Sequence, residues 1–256
     1  MIVRIWAIAG NTAREAIRNK LLYTFLFFAL AMMLFGVVLA TISYVERERM
    51  MQDFAFASIR LFSVAIAIFV GVGLIHKDID RRTVYTILSK PLSRAEFLIG
   101  KFTGLVLIIW LQVAIMALFF AGVSLLMGAP LGFTHLAALA LTAVELAIVV
   151  AFATLFSSFT TPLLASFFSC GIWLAGQLSR DLRDHGADSS SALVREATAW
   201  MHRILPDLES FNLSIQASHG LPIAASDIWL PALYGAGYVA IILASATLIF
   251  ERRDFR

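Results

Sequence analysis

The stretch HKDIDRRTVYTILSKPLSRAEFLIGK, residues 76–101, holds the densest cluster of charge in the chain: six Lys or Arg, two Asp and one Glu. Its surroundings are strongly apolar, because 60% of the 256 residues are hydrophobic and only 14% are charged. Soluble domains have about 45–50% apolar and about 25% charged residues. Too few polar residues are present to cover a soluble core, so we predict an all-α integral membrane protein.

Six apolar runs are long enough to cross a bilayer, which takes about 20 mostly apolar residues. The first run has 22 residues, longer than the usual 7–15-residue core of a signal peptide, so we expect it to be retained as a span. The predicted spans are Leu21–Ile42, Phe54–Ile75, Phe102–Met127, His135–Phe159, Pro162–Leu178 and Ile228–Phe250.

The Lys and Arg residues outside these runs predict the orientation. Thirteen of them lie in the N-terminal tail, in the 76–101 connection and in the C-terminal tail, whereas six lie in the connections of the opposite side. Positively charged connections stay in the cytoplasm. We therefore expect six spans within a single domain, residues 1–256, with both termini and the 76–101 connection in the cytoplasm.

Two segments outside the spans are expected to be helical. Residues 1–20 place apolar residues at helical spacing opposite four basic ones, as in a helix that lies in the membrane interface. The extracytoplasmic segment 179–227 is too long for a structureless loop, so short helices packed on the outer end of the bundle are expected. Within it, Leu193, Trp200 and Met201 lie on one apolar stripe that we expect to be buried.

The 76–101 stretch also has internal structure. Pro91 disfavours a helical Lys90, and Ser93 with Glu96 forms a capping-box pattern before the third span. Val84, Ile87 and Leu88 share one face of a short helix before the proline. One interpretation is a generic basic loop that only sets the topology. The alternative is a helix that a cytoplasmic partner binds, and the apolar face, the helix break at the proline and the capped start of the next helix favour it.

These residues resemble the signature of type-2 ABC exporter permeases: acidic residues, Gly-Thr, two apolar residues, Pro-x-Ser-Arg and Gly-Lys. Asp78 and Asp80 match the acidic positions, and Arg82 stands where many members have glycine. The acidic-basic form is similar to the branch grouped with multicopper enzyme maturation permeases. Further similar stretches lie at residues 14–20, 205–212 and 250–255, so the resemblance covers nearly the whole chain.

The resemblance implies an interfacial elbow helix, six spans in a bacterial cytoplasmic (inner) membrane, and two permeases, identical or paralogous, above two ATPase subunits that bind ATP and Mg. The chain itself has no GxxxxGK[ST] phosphate loop and is expected to bind no cofactor, metal or nucleic acid. A coupling helix between spans 2 and 3 would contact the ATPase. The candidate coupling residues are Asp78, Asp80, Arg81, Arg82, Thr83, Val84, Ile87, Leu88, Pro91, Ser93 and Arg94.

Three polar residues inside the spans are candidates for a substrate or gating pathway: Arg60, Glu145 and Gln112. Ionisable groups at membrane depth cost about 2.5–3.5 kcal/mol and usually face protein or water. The alternative is structural, namely an Arg60–Glu145 ion pair or separate polar contacts. Small residues at Gly100 and Gly104, and at Gly235 and Gly237, are expected to permit close helix packing.

Other classes of function are less consistent with the residues. The five histidines are scattered and the sequence contains no HExxH or GxSxG motif, so the residues give little support for a membrane enzyme. The single cysteine, Cys170, excludes an intrachain disulfide. A mechanical role remains open, in which ATP-driven motion acts on a periplasmic partner through residues 179–227 without transport. The substrate is not identified by the sequence.

Overall fold

The computed structural model describes residues 2–42, 46–80, 93–187, 193, 195, 196, 198, 200 and 205–252. The regular secondary structure of this part of the chain is helical, without a strand. The elements are α1 (Ile2–Ile17), α2 (Lys20–Ile42), α3 (Arg47–Asp80), α4 (Arg94–Met127), α5 (Phe133–Ser157), α6 (Pro162–Gln177), α7 (Ser179–Ala187), a 3₁₀ turn (Glu209–Phe211), α8 (Ser214–Ser218) and α9 (Ser226–Arg252).

Five of these helices, α2, α3, α4, α5 and α9, are long and apolar enough to cross a membrane. The fifth predicted span, Pro162–Leu178, corresponds to α6, whose 16 residues extend only about 24 Å. With α7 it forms a pair bent by 52°, which makes a sixth span if the pair is counted as one. The bend falls where the apolar run gives way to Arg180 and Asp181. The chain is therefore an integral membrane protein, with five or six candidate spans among the residues that the structure describes.

The spans divide into central and peripheral helices. In the most apolar 18-residue stretch of α3 and of α5, 67% of the stretch is buried within the protomer, compared with 22% of the corresponding stretch in α2 and in α9. The outward faces of α2 and α9 present large apolar side chains, among them Phe27, Phe35 and Leu233. Because such side chains are stable against lipid or another apolar helix, α2 and α9 form the periphery of the protomer.

One end of the bundle is basic. Lys77 near the end of α3, Arg94 at the start of α4 and Lys101 about two turns later lie at this end, which we call the basic end. Ser93 caps α4 there: its Oγ accepts a hydrogen bond from the Glu96 amide, and the Glu96 carboxylate accepts one from the Ser93 amide, each at 3.1 Å. The predicted capping box is confirmed.

The N-terminal helix α1 packs tightly on α4. A narrow face of Ala9, Thr12 and Ala16 is fully buried. A Cβ at Gly100 would lie 2.7 Å from Ile8 Cβ, and one at Gly104 would lie 2.6 Å from the Ala9 carbonyl oxygen. The predicted close approach at these two glycines is confirmed. Part of the apolar face of α1 therefore contacts protein rather than the membrane interface.

We predict that Gly104→Ala destabilises the protein by about 1–3 kcal/mol, because the new methyl group overlaps the α1 backbone. Gly122→Ala is the matched control on the same helix, since a Cβ at Gly122 meets nothing within 4 Å. It should leave stability unchanged or raise it by up to about 1 kcal/mol, because alanine is the better helix former. Denaturation in mixed micelles measures both. Equal effects of the two substitutions would contradict the α1–α4 contact.

The end opposite the basic end, which we call the far end, is covered by the segment 205–225. Leu208, Phe211 and Leu213 are buried there. Glycines make room for this segment: a Cβ at Gly176 would lie 2.8 Å from the Leu208 side chain, and one at Gly235 would lie 3.1 Å from the Phe211 ring. The expectation of short helices packed on this end is met by the 3₁₀ turn and α8. The second predicted packing glycine near Gly235, Gly237, meets nothing within 4 Å.

The apolar stripe before this segment is not buried as we expected. Leu193 is 81% exposed and Trp200 is 58% exposed, while Met201 lies outside the described residues. The prediction is wrong for the first two because helical periodicity identifies an apolar face without identifying the surface that covers it. In the protomer, segment 205–225 occupies the far end instead.

Candidate functional site

A buried ion pair lies in the half of the bundle nearer the far end. Arg60 projects from α3 and Glu145 from α5, and Arg60 Nε donates to Glu145 Oε2 at 2.9 Å. The Glu145 side chain is fully buried, and that of Arg60 is 17% exposed. Burying two charges is tolerated when each is paired and its remaining hydrogen-bonding groups are satisfied. Of the two arrangements left open by the sequence, the structure contains the direct pair.

Helix α6 completes the coordination of the carboxylate. Trp173 Nε1 donates to Glu145 Oε1 at 2.9 Å, and Gln177 Nε2 donates to the same oxygen at 2.7 Å. Both carboxylate oxygens therefore accept hydrogen bonds, which stabilises the charge away from water. Trp173 and Gln177 were not among the candidates predicted from the sequence. They are four residues apart, which places two hydrogen-bond donors on one face of an apolar helix, and this spacing could have indicated a polar contact there.

The arginine of the pair also contacts the far-end segment. Arg60 Nη2 donates to the Leu208 carbonyl oxygen at 3.3 Å. Since Leu208 is 1% exposed, this backbone oxygen is held at the boundary between the segment and the spans. The Arg60 guanidinium thus joins α3, α5 and the segment 205–225. We call Arg60, Glu145, Trp173, Gln177 and the Leu208 carbonyl the polar centre.

A pocket of about 390 Å³ opens beside the polar centre. Arg60, Trp173 and Gln177 line one side of it, so three members of the polar centre face a cavity rather than only packed protein. The volume lies in the range of small-molecule sites. The other lining residues come from α3 and from the far-end segment: Asp53, Phe56, Ala57, Leu61, Asn212, Ser214 and Ile215.

The third intramembrane candidate, Gln112, is separate from this centre. It is 2% exposed on α4, and its Nε2 lies 3.6 Å from Met116 Sδ. Its Oε1 has no hydrogen-bond partner among the described residues, and no hydrogen bond joins it to Arg60 or Glu145 there. Its role in a pathway stays a prediction.

A second charged cluster ties the basic end together. Glu15 of α1 forms an ion pair with Lys77 of α3, and its other oxygen lies 3.6 Å from Lys101 Nζ of α4. Burial acts to raise the pKa of Glu15, but the hydrogen bond from Lys77 and the positive charge of Lys101 lower it below its ordinary value of 4.5. The carboxylate is therefore charged at neutral pH and links three helices.

We predict that this link depends on pH. Because the pKa of Glu15 is lowered on folding, its stabilising contribution is complete above pH 4.5 and is lost as the pH falls through the folded value. The Tm difference between wild type and Glu15→Gln should therefore be present at pH 7 and shrink progressively as the pH falls below 4.5. Glu46→Gln, which alters an exposed pair with Arg49, should change Tm little at any pH. A difference that does not shrink on acidification would contradict the link.

The predicted coupling residues are only partly within the described structure. Arg94 Nη1 donates to the Phe250 carbonyl oxygen at 3.0 Å, which joins the start of α4 to the last turns of α9. Ser93 is the cap described above. The side chains of Asp78 and Asp80 lie outside the described part, as do Arg81, Arg82, Thr83, Val84, Ile87, Leu88 and Pro91. Their role as an ATPase contact stays a prediction.

A helical bundle with five or six apolar spans, a buried ion pair and a charged connection between spans defines a multi-pass membrane protein of the transporter class. The chain matches the family model for ABC-2 family transporter proteins over residues 6–255, and it belongs to that family. It is therefore an ABC-2 type permease, the membrane component of an ABC transporter and not itself catalytic, and the family implies an ATPase partner. A search of curated proteins finds no match.

Proposed function

We propose that this chain is the permease subunit of an ATP-driven exporter, and that a separate ATPase subunit with bound ATP and Mg contacts the segment 76–101 in the cytoplasm. The observation that carries the proposal is the continuity of α3. This helix runs unbroken from Arg47 to Asp80. It places Lys77, beside the charged connection, and Arg60, in the polar centre, 17 residues or about 25 Å apart.

A continuous helix of this kind couples the two ends mechanically. Displacement of the connection by a partner would move α3 along its axis or tilt it, because a hydrogen-bonded helix resists compression. Arg60 would then move relative to Glu145 on α5 and to the Leu208 carbonyl. The far-end segment is held partly by that contact, so its position would respond to events at the basic end.

The basic end is built to move as one unit. Glu15 links α3 to α4 on one side of the connection, and Arg94 links α4 to α9. A force applied to residues 81–92 would reach both flanking helices and, through the Gly100 and Gly104 contacts, α1 as well. In this proposal α1 is the elbow helix and the 76–101 stretch contains the coupling helix.

The pathway is proposed to pass the pocket beside the polar centre. Arg60, Trp173 and Gln177 would then contact the substrate or control its passage, and a second permease copy or paralogue would cover an exposed apolar face of α2 or α9. Ionisable groups in spans commonly mark such routes. The chemistry of the pocket, which both Asp53 and Arg60 line, does not select one substrate class among lipid, polysaccharide, peptide, drug or a copper- or sulfur-related cargo.

A mechanical role is the second candidate. The exposure of Leu193 and Trp200 at the far end favours it, since large apolar side chains in such a position suit a periplasmic protein partner. Reconstituted vesicles separate the two candidates. ATP-dependent accumulation of a cargo supports export, whereas ATPase activity that responds to a periplasmic protein without cargo movement supports the mechanical role.

The proposed orientation gives a direct prediction. A reporter fused after Arg256 should lie in the cytoplasm, and one inserted near Ala187 should lie on the opposite side of the membrane. The reason is that thirteen of the basic residues outside the spans lie on the side of the termini. Paired phosphatase and fluorescent-protein fusions measure this. Both reporters on one side would exclude the six-span arrangement.

A further inference from the structure

We propose that a groove at the basic end binds the headgroup of an anionic phospholipid. The groove has a volume of about 780 Å³ and lies between α1, the start of α2 and the last turns of α3. Its charged lining consists of Arg14, Arg18 and Lys77 with a single carboxylate, Glu15. Three cations against one anion leave an excess of positive charge in one concavity.

The two arginines are available for a ligand. Lys77 already pairs with Glu15, whose other oxygen approaches Lys101. Among the residues that the structure describes, neither the Arg14 nor the Arg18 guanidinium has a hydrogen-bond or ion-pair partner. Arg14 lies in the last turn of α1 and Arg18 in the turn that follows it, and both line the groove. A guanidinium pair of this kind matches a phosphodiester, which accepts several hydrogen bonds in a plane.

The position of the groove indicates a lipid rather than a soluble anion. Leu21 begins the apolar run of α2 and is 48% exposed, and Phe69 of α3 is 50% exposed. Both line the groove together with the buried Leu74. A charged rim above an exposed apolar wall, at the depth where the chain enters the bilayer, fits a phosphate with acyl chains below it. Basic pockets between spans bind such headgroups in other membrane proteins.

Asn19 supports the shape of the site. It lies in the turn between α1 and α2, and its Oδ1 accepts a hydrogen bond from the Leu21 amide at 3.0 Å. The start of α2 is thereby fixed beside the last turn of α1. The groove is consequently a preformed concavity between α1 and the capped start of α2, and its two arginines need only adjust their side chains to contact a headgroup.

Native mass spectrometry of the detergent-solubilised permease, titrated with phosphatidylglycerol or phosphatidylcholine, tests the proposal. Wild type should bind phosphatidylglycerol first and more tightly. Arg14→Gln with Arg18→Gln should weaken the first phosphatidylglycerol about tenfold or more and leave phosphatidylcholine unchanged. Arg14→Lys with Arg18→Lys, which keeps both charges, should retain the preference. Unchanged phosphatidylcholine binding by the glutamine variant shows that this variant is still folded. Arg183→Gln with Arg195→Gln removes two exposed charges at the far end and should have no effect.

Three outcomes would overturn the proposal. The first is an equal preference for phosphatidylglycerol in wild type and in the Arg14→Gln, Arg18→Gln variant. The second is binding of inorganic phosphate that needs both arginines without any preference between the two lipids, which would assign the groove to a soluble anion. The third is that the Arg14→Gln, Arg18→Gln variant no longer co-purifies with the ATPase subunit but keeps its lipid preference, which would assign the groove to a protein contact.

Discussion

Replacing Arg60 by methionine should lower the free energy of unfolding by about 3–5 kcal/mol, because it leaves the buried Glu145 carboxylate without its cation. Trp173 and Gln177 would still donate to that carboxylate, but neither carries the compensating charge. Arg49→Met on the same helix is the control. Its exposed pair with Glu46 predicts a loss below about 1 kcal/mol. Denaturation in mixed micelles measures both variants.

The double variant Arg60→Met, Glu145→Gln separates stability from function. Removing both charges should recover most of the lost stability, since a neutral amide needs no counter-ion and its oxygen still accepts from Trp173 and Gln177. If the double variant is stable but does not transport or stimulate ATP hydrolysis, the pair belongs to the pathway. If it is stable and fully active, the pair is structural. A single Arg60→Met variant as stable as Arg49→Met would contradict the buried pair itself.

A second large effect is expected from Ile87→Asp. If Val84, Ile87 and Leu88 insert into a groove of the ATPase, a charge at the centre of that contact should weaken binding by about 2 kcal/mol or more, roughly thirtyfold. The permease should still insert and fold, because the substitution lies outside the spans. Co-purification of the ATPase and its stimulated hydrolysis are the measurements.

Thr86→Asp is the matched control for this prediction. It adds the same charge to the same predicted helix, on the side away from the face of Val84, Ile87 and Leu88, so binding and coupling should be largely retained. Arg94→Gln, a change at a charged candidate coupling residue, should be milder in binding than Ile87→Asp. Full binding and coupling in Ile87→Asp would mean that the charged connection serves only to set the topology.

The local features of this protein could be predicted because each depends on residues close together in the chain. The length and composition of an apolar run predict a span, and five of the six predicted runs coincide with long helices. The Ser93–Glu96 cap and the close approach at Gly100 and Gly104 also follow from patterns a few residues wide. The short fifth run, Pro162–Leu178, is the exception, since its length alone does not predict the bend between α6 and α7.

Surface partners were predicted less well. Helical periodicity at Leu193 and Trp200 identified an apolar face, but the far end is covered by residues 205–225 instead. The same limit applied to α1, whose small residues contact α4 while other apolar residues, such as Trp6, are exposed. A pattern states which face of a helix avoids water, and packing decides what meets that face.

By itself, the sequence determined that the chain is a helical membrane protein with a charged connection between its second and third spans, because hydropathy and charge act locally along the chain. Only the tertiary structure decided the polar centre. Arg60 and Glu145 are 85 positions apart, and Arg60 and Leu208 are 148 apart. Their contact depends on how α3 and α5 are rotated and which depth each residue reaches. The rotation and the depth depend on the packing of whole helices, in which each buried charge must be paired with a group on another element.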